Sequence, residues 1–198
     1  MHINEGDGLG LHVRFHPWSL EKADGRQPRA VDEDRWVQLL RNVEPEAFSG
    51  WKPSSAFWPS SSQLLFAAYE AAQLQGVPGA ARFDLMLREA IFRRPRRVNS
   101  VEALAGIAGE ANLNVPTFTA ALKDGSAAAL ARSAEAEGGR LNVRGIPTFV
   151  LPDGTVLRNP GLKIRVTKEA RSIQDEHGVL RDALRAAARG ELTQAADV

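Results

Sequence analysis

Between Glu137 and Gly145 the hydrophobic period of this chain changes from that of helices to that of strands, which limits its fold more than any other feature. From Ser60 to Glu137 apolar residues recur every three or four positions. Ser60, Ser61 and Ser62 offer N-caps for a helix through Leu64, Leu65, Ala68, Ala71 and Ala72, stopped near Gly76. A second helix over Ala80–Phe92 carries Phe83, Leu87 and Ile91 at i, i+4, i+8. Asn99-Ser100-Val101-Glu102 places a cap and an N-terminal carboxylate ahead of Leu104, Ile107 and Ala108. Pro116 opens a further helix with Phe118 and Leu122, ending at Lys123-Asp124-Gly125, and Ser126–Glu137 is alanine-rich and helical. Beyond it, Gly145–Leu151 is a short apolar run, Pro152-Asp153-Gly154 a hairpin turn and Thr155–Arg158 the return strand. Leu162–Val166 reads as a short edge strand, and a final helix runs from about Gln174 to Ala188 on a face of Val179, Leu180, Ala183 and Leu184.

Ahead of the helical block, Leu9–His16 alternates at Leu9, Leu11, Val13 and Phe15, which marks a strand with one buried face ended by Pro17. Asp24–Pro28 is turn-like, and Val31–Asn42 forms a helix with Trp36, Leu39 and Leu40 on one face. Glu44–Pro59, with three prolines and two tryptophans, is a long irregular segment of the kind that covers a binding surface or a core edge. The sum is an α/β arrangement with an inserted helical subdomain.

Composition narrows the chemistry. In 198 residues there are 25 Lys+Arg against 24 Asp+Glu, a net charge of +1, and no cysteine. The near-neutral balance gives no electrostatic reason to expect nucleic acid or an anionic membrane as partner. Without cysteine these residues hold no disulfide, thiolate nucleophile, Cys-ligated zinc or dithiol pair. Met1–Gly8 has no signal-peptide pattern, and no apolar run approaches the ~20 residues of a membrane span. The localisation expected from this is cytoplasmic.

Ile146-Pro147-Thr148 is the most informative step in the chain. A proline heading an apolar strand donates no ladder bond and belongs at a strand start or edge. With a cis peptide bond, it would turn the Ile146 N–H and C=O outward to pair with an extended ligand as an added strand. The alternative is an ordinary trans proline entering a strand. Val115-Pro116-Thr117-Phe118 has almost the same letters, but the helix-forming Thr119-Ala120-Ala121-Leu122 follows it, so only Pro147 is the candidate.

Val143–Leu151 followed by Asp153-Gly154 resembles the cis-proline loop and terminal hairpin of thioredoxin-fold proteins. Three more stretches, in family order, resemble the DsbA-type oxidoreductases. Phe15–Glu21 is similar to their second strand and following loop, Ser62–Ala72 to the first long helix of their insertion, and Asn99–Gly125 to the paired helices after it. The likeness runs from about Leu11 to Leu184. It implies a thioredoxin-like fold with a large helical insertion, the core over residues 1–24 and 140–198 and the insertion over 25–139. It also implies a thiol–disulfide oxidoreductase family, with Gly145, Ile146, Pro147 and Thr148 as the substrate-binding loop and a protein or peptide thiol as substrate. No cofactor, metal or catalytic residue is expected in this chain.

In that family a first strand leads into a helix whose N-terminus carries Cys-x-x-Cys facing the cis-proline. Here the fold is expected to be incomplete at the N-terminus, because eight leading residues cannot supply both elements, and dithiol exchange is expected to be absent. Three explanations stay open: a start at an internal methionine of a longer product, a degenerate member whose gap is filled by a partner or second protomer, or rearrangement into a smaller sheet. The alternative readings are a relative of the kappa-class glutathione transferases and chromene-carboxylate isomerases, and a non-enzymatic peptide-binding module.

The remaining candidates have plainer readings. His2, His12, His16 and His177 show no metal-binding spacing, and His12 and His16 would stand about 13 Å apart along a strand. Arg93-Arg94-Pro95-Arg96-Arg97 reads as a solvated helix end, favourable to the helix dipole. Trp51, Phe57 and Trp58 fit either a groove near Pro147 or a core edge. Gly6–Gly10 precedes a strand and is no phosphate loop.

Overall fold

Alanine sets how closely the helices of residues 14–140 approach one another. The computed structural model describes residues 14–19, 21, 25, 29–54, 56–151, 153–166, 171–175 and 178–189. The chain divides into two units, and the first, 14–140, holds α1 (Ala30–Leu40), α2 (Gln63–Gln73), α3 (Val77–Arg88), α4 (Val101–Glu110), α5 (Val115–Lys123) and α6 (Ser126–Arg140). α2 packs against α3, α5 and α6. It buries Ala67, Ala68, Ala71 and Ala72, while α6 buries Ala127, Ala131 and Ala134 on one stripe. Alanine favours the helix and leaves no bulk between neighbouring backbones. Larger side chains fill the space beyond. Phe83 of α3 and Phe118 of α5 are fully buried with ring centroids 5.3 Å apart, and Leu104, Ile107 and Val98 complete the core. Gly79 lets α3 come in close, since a Cβ there would lie 2.7 Å from a Leu113 methyl.

Most helix starts in this unit follow the sequence, but α3 begins at Val77, three residues before the expected Ala80, with Pro78 in its first turn. Ser100 Oγ accepts from Ala103 N at 3.2 Å, and Asn114 Oδ1 accepts from Thr117 N at 2.9 Å with Pro116 in the first turn. Of the three serines, Ser61 does the capping: its Oγ accepts from Gln63 N at 3.1 Å, while the Ser62 side chain caps nothing in α2. The Glu21 carboxylate adds to this, accepting from the Ser62 amide, from Ser62 Oγ at 2.8 Å and from Ser61 Oγ at 3.1 Å. A carboxylate at a helix N-terminus answers both the open amides and the dipole.

α3 widens at its end into a π turn, Glu89–Arg93, where Arg94 N donates to Glu89 O at 2.7 Å ahead of Pro95. Phe92 on that turn joins Trp51, Trp58 and Phe48 in an aromatic cluster, with Phe92 5.7 Å from Trp51 and 5.4 Å from Phe48. α1 meets this cluster through Ala30 and Val37, not through the expected face of Trp36, Leu39 and Leu40. Asp34 on the same helix accepts from Trp51 Nε1 at 2.8 Å, which fixes the indole over the Ala30–Val37 stripe.

The strand expected over Leu9–His16 falls mostly outside the described residues. Its described part, Arg14–His16, is no strand: Phe15 sets its ring edge-on to Tyr69 at 6.4 Å, and its carbonyl accepts from Gln73 Nε2 at 3.4 Å. These residues lie in the same unit as α2.

The second unit, from Leu141 on, holds β1 (Thr148–Val150) and β2 (Val156–Arg158), antiparallel with Thr148 opposite Arg158 and Val150 opposite Val156. The expected turn joins them. Leu151 N donates to Thr155 O and Gly154 N to Leu151 O, each at 2.9 Å, with Gly154 at φ +85°. β1 is shorter than the run Gly145–Leu151, because Gly145–Pro147 bends ahead of it. β3 (Leu162–Val166) pairs antiparallel with β4 (Arg171–Asp175) in a separate two-stranded sheet. β4 corrects the terminal helix, which starts at Gly178 instead of Gln174: α7 spans Gly178–Ala188. Of its expected buried face Leu180 is buried, whereas Val179 is exposed.

Candidate functional site

The loop before β1 is tied on both sides of Ile146. Asn142, at φ +54°, accepts through Oδ1 from Arg144 Nε at 2.9 Å. The Gly145 carbonyl accepts from Thr148 Oγ1 at 2.7 Å, and the Pro147 carbonyl accepts from Asn159 N at 2.9 Å. The Ile146–Pro147 bond is cis, the one cis bond among the described residues. Ile146 itself is left open: neither its N–H nor its C=O has a hydrogen-bond partner among the described residues, and the residue is 54% exposed. A backbone donor and acceptor left unpaired at a strand entrance are an edge on which another extended chain can pair.

The four residues named from the sequence thus fall on one loop with different tasks. Ile146 presents backbone and an apolar side chain, and Pro147 is exposed beside it. Thr148 spends its hydroxyl within the loop and holds its shape. Gly145 has open space where a Cβ would stand and no left-handed φ, so the free loop itself does not require glycine there. On the hairpin, Val150 and Val156 face each other across the strands and are both exposed, on the face shared with Thr148 and Arg158. At the far turn Thr155 donates its amide and hydroxyl to Asp153, which holds that carboxyl below the ordinary range.

The other candidates resolve differently. Trp51 and Trp58 are stacked edge-to-face at 5.5 Å inside the aromatic cluster, which makes them core. In the arginine run, Arg96 forms a two-pronged pair with Glu110 at 2.6 and 2.7 Å, and Arg93 reaches Glu89 at 3.3 Å. Burial lowers the His16 imidazole, Arg14 adds to this, and Glu137 opposes it. No group of three or more metal-binding side chains occurs among the described residues, and no helix there is long and apolar enough to cross a membrane. One titratable residue escaped the sequence reading. Glu70 on α2 is buried, its Oε1 has no partner among the described residues, and burial raises its carboxyl above the ordinary range against the pull of Arg14. A glutamate in an alanine-rich helix carries no sign of its own that it faces inward.

Compared with known families, residues 56–175 match the thioredoxin family model, a stretch that takes in α2 to α6 and β1 to β4. No curated protein matches the chain.

Proposed function

The chain belongs to the thioredoxin family, and from that premise we propose that it is a DsbA-type member whose 198 residues hold an extended polypeptide at the Ile146 edge without themselves exchanging disulfides. The observation that carries this reading is the open backbone of Ile146, set between two carbonyls that are already paired. Main-chain pairing supplies affinity that tolerates many sequences, and the exposed Ile146 side chain adds an apolar contact. Thiol–disulfide exchange requires a thiolate to attack a disulfide sulfur. With no cysteine here, the chain supplies the substrate-holding part of such a site and not the attacking group.

Two measurements test it. In an insulin-reduction assay with dithiothreitol, the protein is expected to leave the rate unchanged; thiol-dependent acceleration would overturn the inactive reading. In an NMR titration with a cysteine-free extended peptide, amide shifts are expected at Ile146, Thr148 and Asn159. Shifts confined to α2–α6 would overturn the site. Shifts in the loop with glutathione but with no peptide would replace this reading by the glutathione-transferase-like one.

A further inference from the structure

We infer that the polypeptide held at the Ile146 edge is an acidic one, a deepening that rests on the peptide-holding reading above. The hairpin is electrically polarised along its length. At the loop end stand two exposed arginines: Arg144, two residues before Ile146, and Arg158, paired in register with Thr148. Arg158 has no hydrogen-bond or ion-pair partner among the described residues. Arg144 spends only Nε on Asn142, which leaves its terminal nitrogens open. Asp153 is the sole carboxylate between Leu141 and Gly161, and it lies at the opposite, turn end. It comes six residues after Pro147 in sequence, beyond the three residues of β1, which alone span about 10 Å of strand. Thr155 already occupies its oxygens.

An extended chain laid against Ile146 therefore meets two guanidiniums that have no ion-pair partner among the described residues, and within residues 141–161 no carboxylate nearer than Asp153. Guanidinium is weakly hydrated and presents a planar fork that fits a carboxylate. Glutamate or aspartate at alternate positions of the incoming strand would put successive carboxylates on one side of it, since side chains repeat every two residues. A basic peptide at the same edge would bring like charges together.

The test uses the full chain and three capped eight-residue peptides that alternate Thr with Glu, with Gln or with Lys, titrated at low salt with amide shifts as readout. The Glu peptide is expected to bind roughly five-fold or more tighter than the Gln peptide, as two exposed ion pairs allow. The Lys peptide is expected to bind weakest, and the preference to shrink in 0.5 M salt. Arg158→Glu and Arg144→Gln, each made separately so that one folded variant suffices, are expected to reduce the preference. The double change Arg144→Glu with Arg158→Glu is expected to reverse it. Equal binding of all three peptides at the Ile146 loop would overturn the acidic inference and leave the peptide-holding reading standing. Binding of none would overturn both. A single-stranded oligonucleotide that binds the same loop as tightly as the Glu peptide would also overturn the inference, because the arginines would then be a general anion patch.

Discussion

Among the described residues, the two units of this chain differ in how much large apolar surface they bury. In residues 14–140 the large side chains Phe83, Phe118, Leu104, Ile107 and Val98 are essentially inaccessible, although Val31, Leu74, Val77, Leu85 and Leu130 are exposed on the surface around them. From Leu141 on, the buried apolar residues among those described are Leu151 and Leu180, whereas Ile146, Val150, Val156 and Val179 are exposed. Close packing and full burial make a region hard to open, and exposed apolar residues on a short hairpin are available to a partner. On the reading proposed above the difference separates two tasks: the helical unit would supply stability, and the hairpin unit recognition.

The sharpest way to break this contrast is to cut into both units. Phe83→Ala is expected to cost about 3–5 kcal/mol in urea unfolding, from the lost burial and the cavity it leaves. Val150→Thr, on the exposed hairpin face, is expected to change stability by less than about 0.5 kcal/mol. Comparable losses from the two would end the division of tasks.

Next in size is Gly50→Ala. A Cβ at Gly50 would lie 1.9 Å from the Arg93 carbonyl oxygen, a backbone group that cannot step aside. The expected loss is about 3 kcal/mol by the same unfolding measurement. Gly145 makes the counterpart, and comes last below.

Glu70 gives a smaller effect with a distinctive pH signature. Its folded carboxyl titrates above the ordinary value because of burial, so between the two values the folded protein binds more protons than the unfolded chain. Stability contributed by the neutral form is therefore present at acidic pH and falls as pH rises from the ordinary carboxylate range to the raised folded value. Glu70→Met keeps the volume and removes both the charge and the unpaired oxygen. It is expected to raise stability by about 1–3 kcal/mol at pH 8 and by less at pH 4. Thermal melts across that range check it; an unchanged slope would show that Glu70 is not the group responsible.

Gly145→Ala sharpens the comparison from the recognition side. Open space at its Cβ position means a stability change within about 0.5 kcal/mol. A peptide that approaches the backbone there is expected to bind less well to the alanine variant, while one lying only against Ile146 is not; the titration distinguishes the two.

What could be read in the sequence was local. The cap at Ser100, the helix opened at Pro116, the Phe83-Leu87-Ile91 row and the turn at Asp153-Gly154 depend on neighbours within a few residues, and they stand where the pattern put them. Features that depend on distant partners were not visible. Glu21 reaches across some forty positions to Ser62, and Phe92 finds Trp51 only because the π turn redirects it. β4 was missed because Arg-Ser-Ile-Gln-Asp has a single apolar residue, too little to show a period of two. The loop at Ile146 was found from its proline and the strand behind it, but its open backbone depends on Asn159 and Thr148 closing the carbonyls on either side.

Amide hydrogen exchange, followed residue by residue with and without the Glu-rich peptide, tests the central claim most directly. In the free protein the Ile146 amide is expected to exchange at nearly the rate of an open chain, while Phe118 and Ala108 exchange only through global unfolding. Saturating peptide is expected to slow Ile146 and leave the helices unchanged. An Ile146 amide already protected in the free protein, or one unaffected at saturation, would contradict the account.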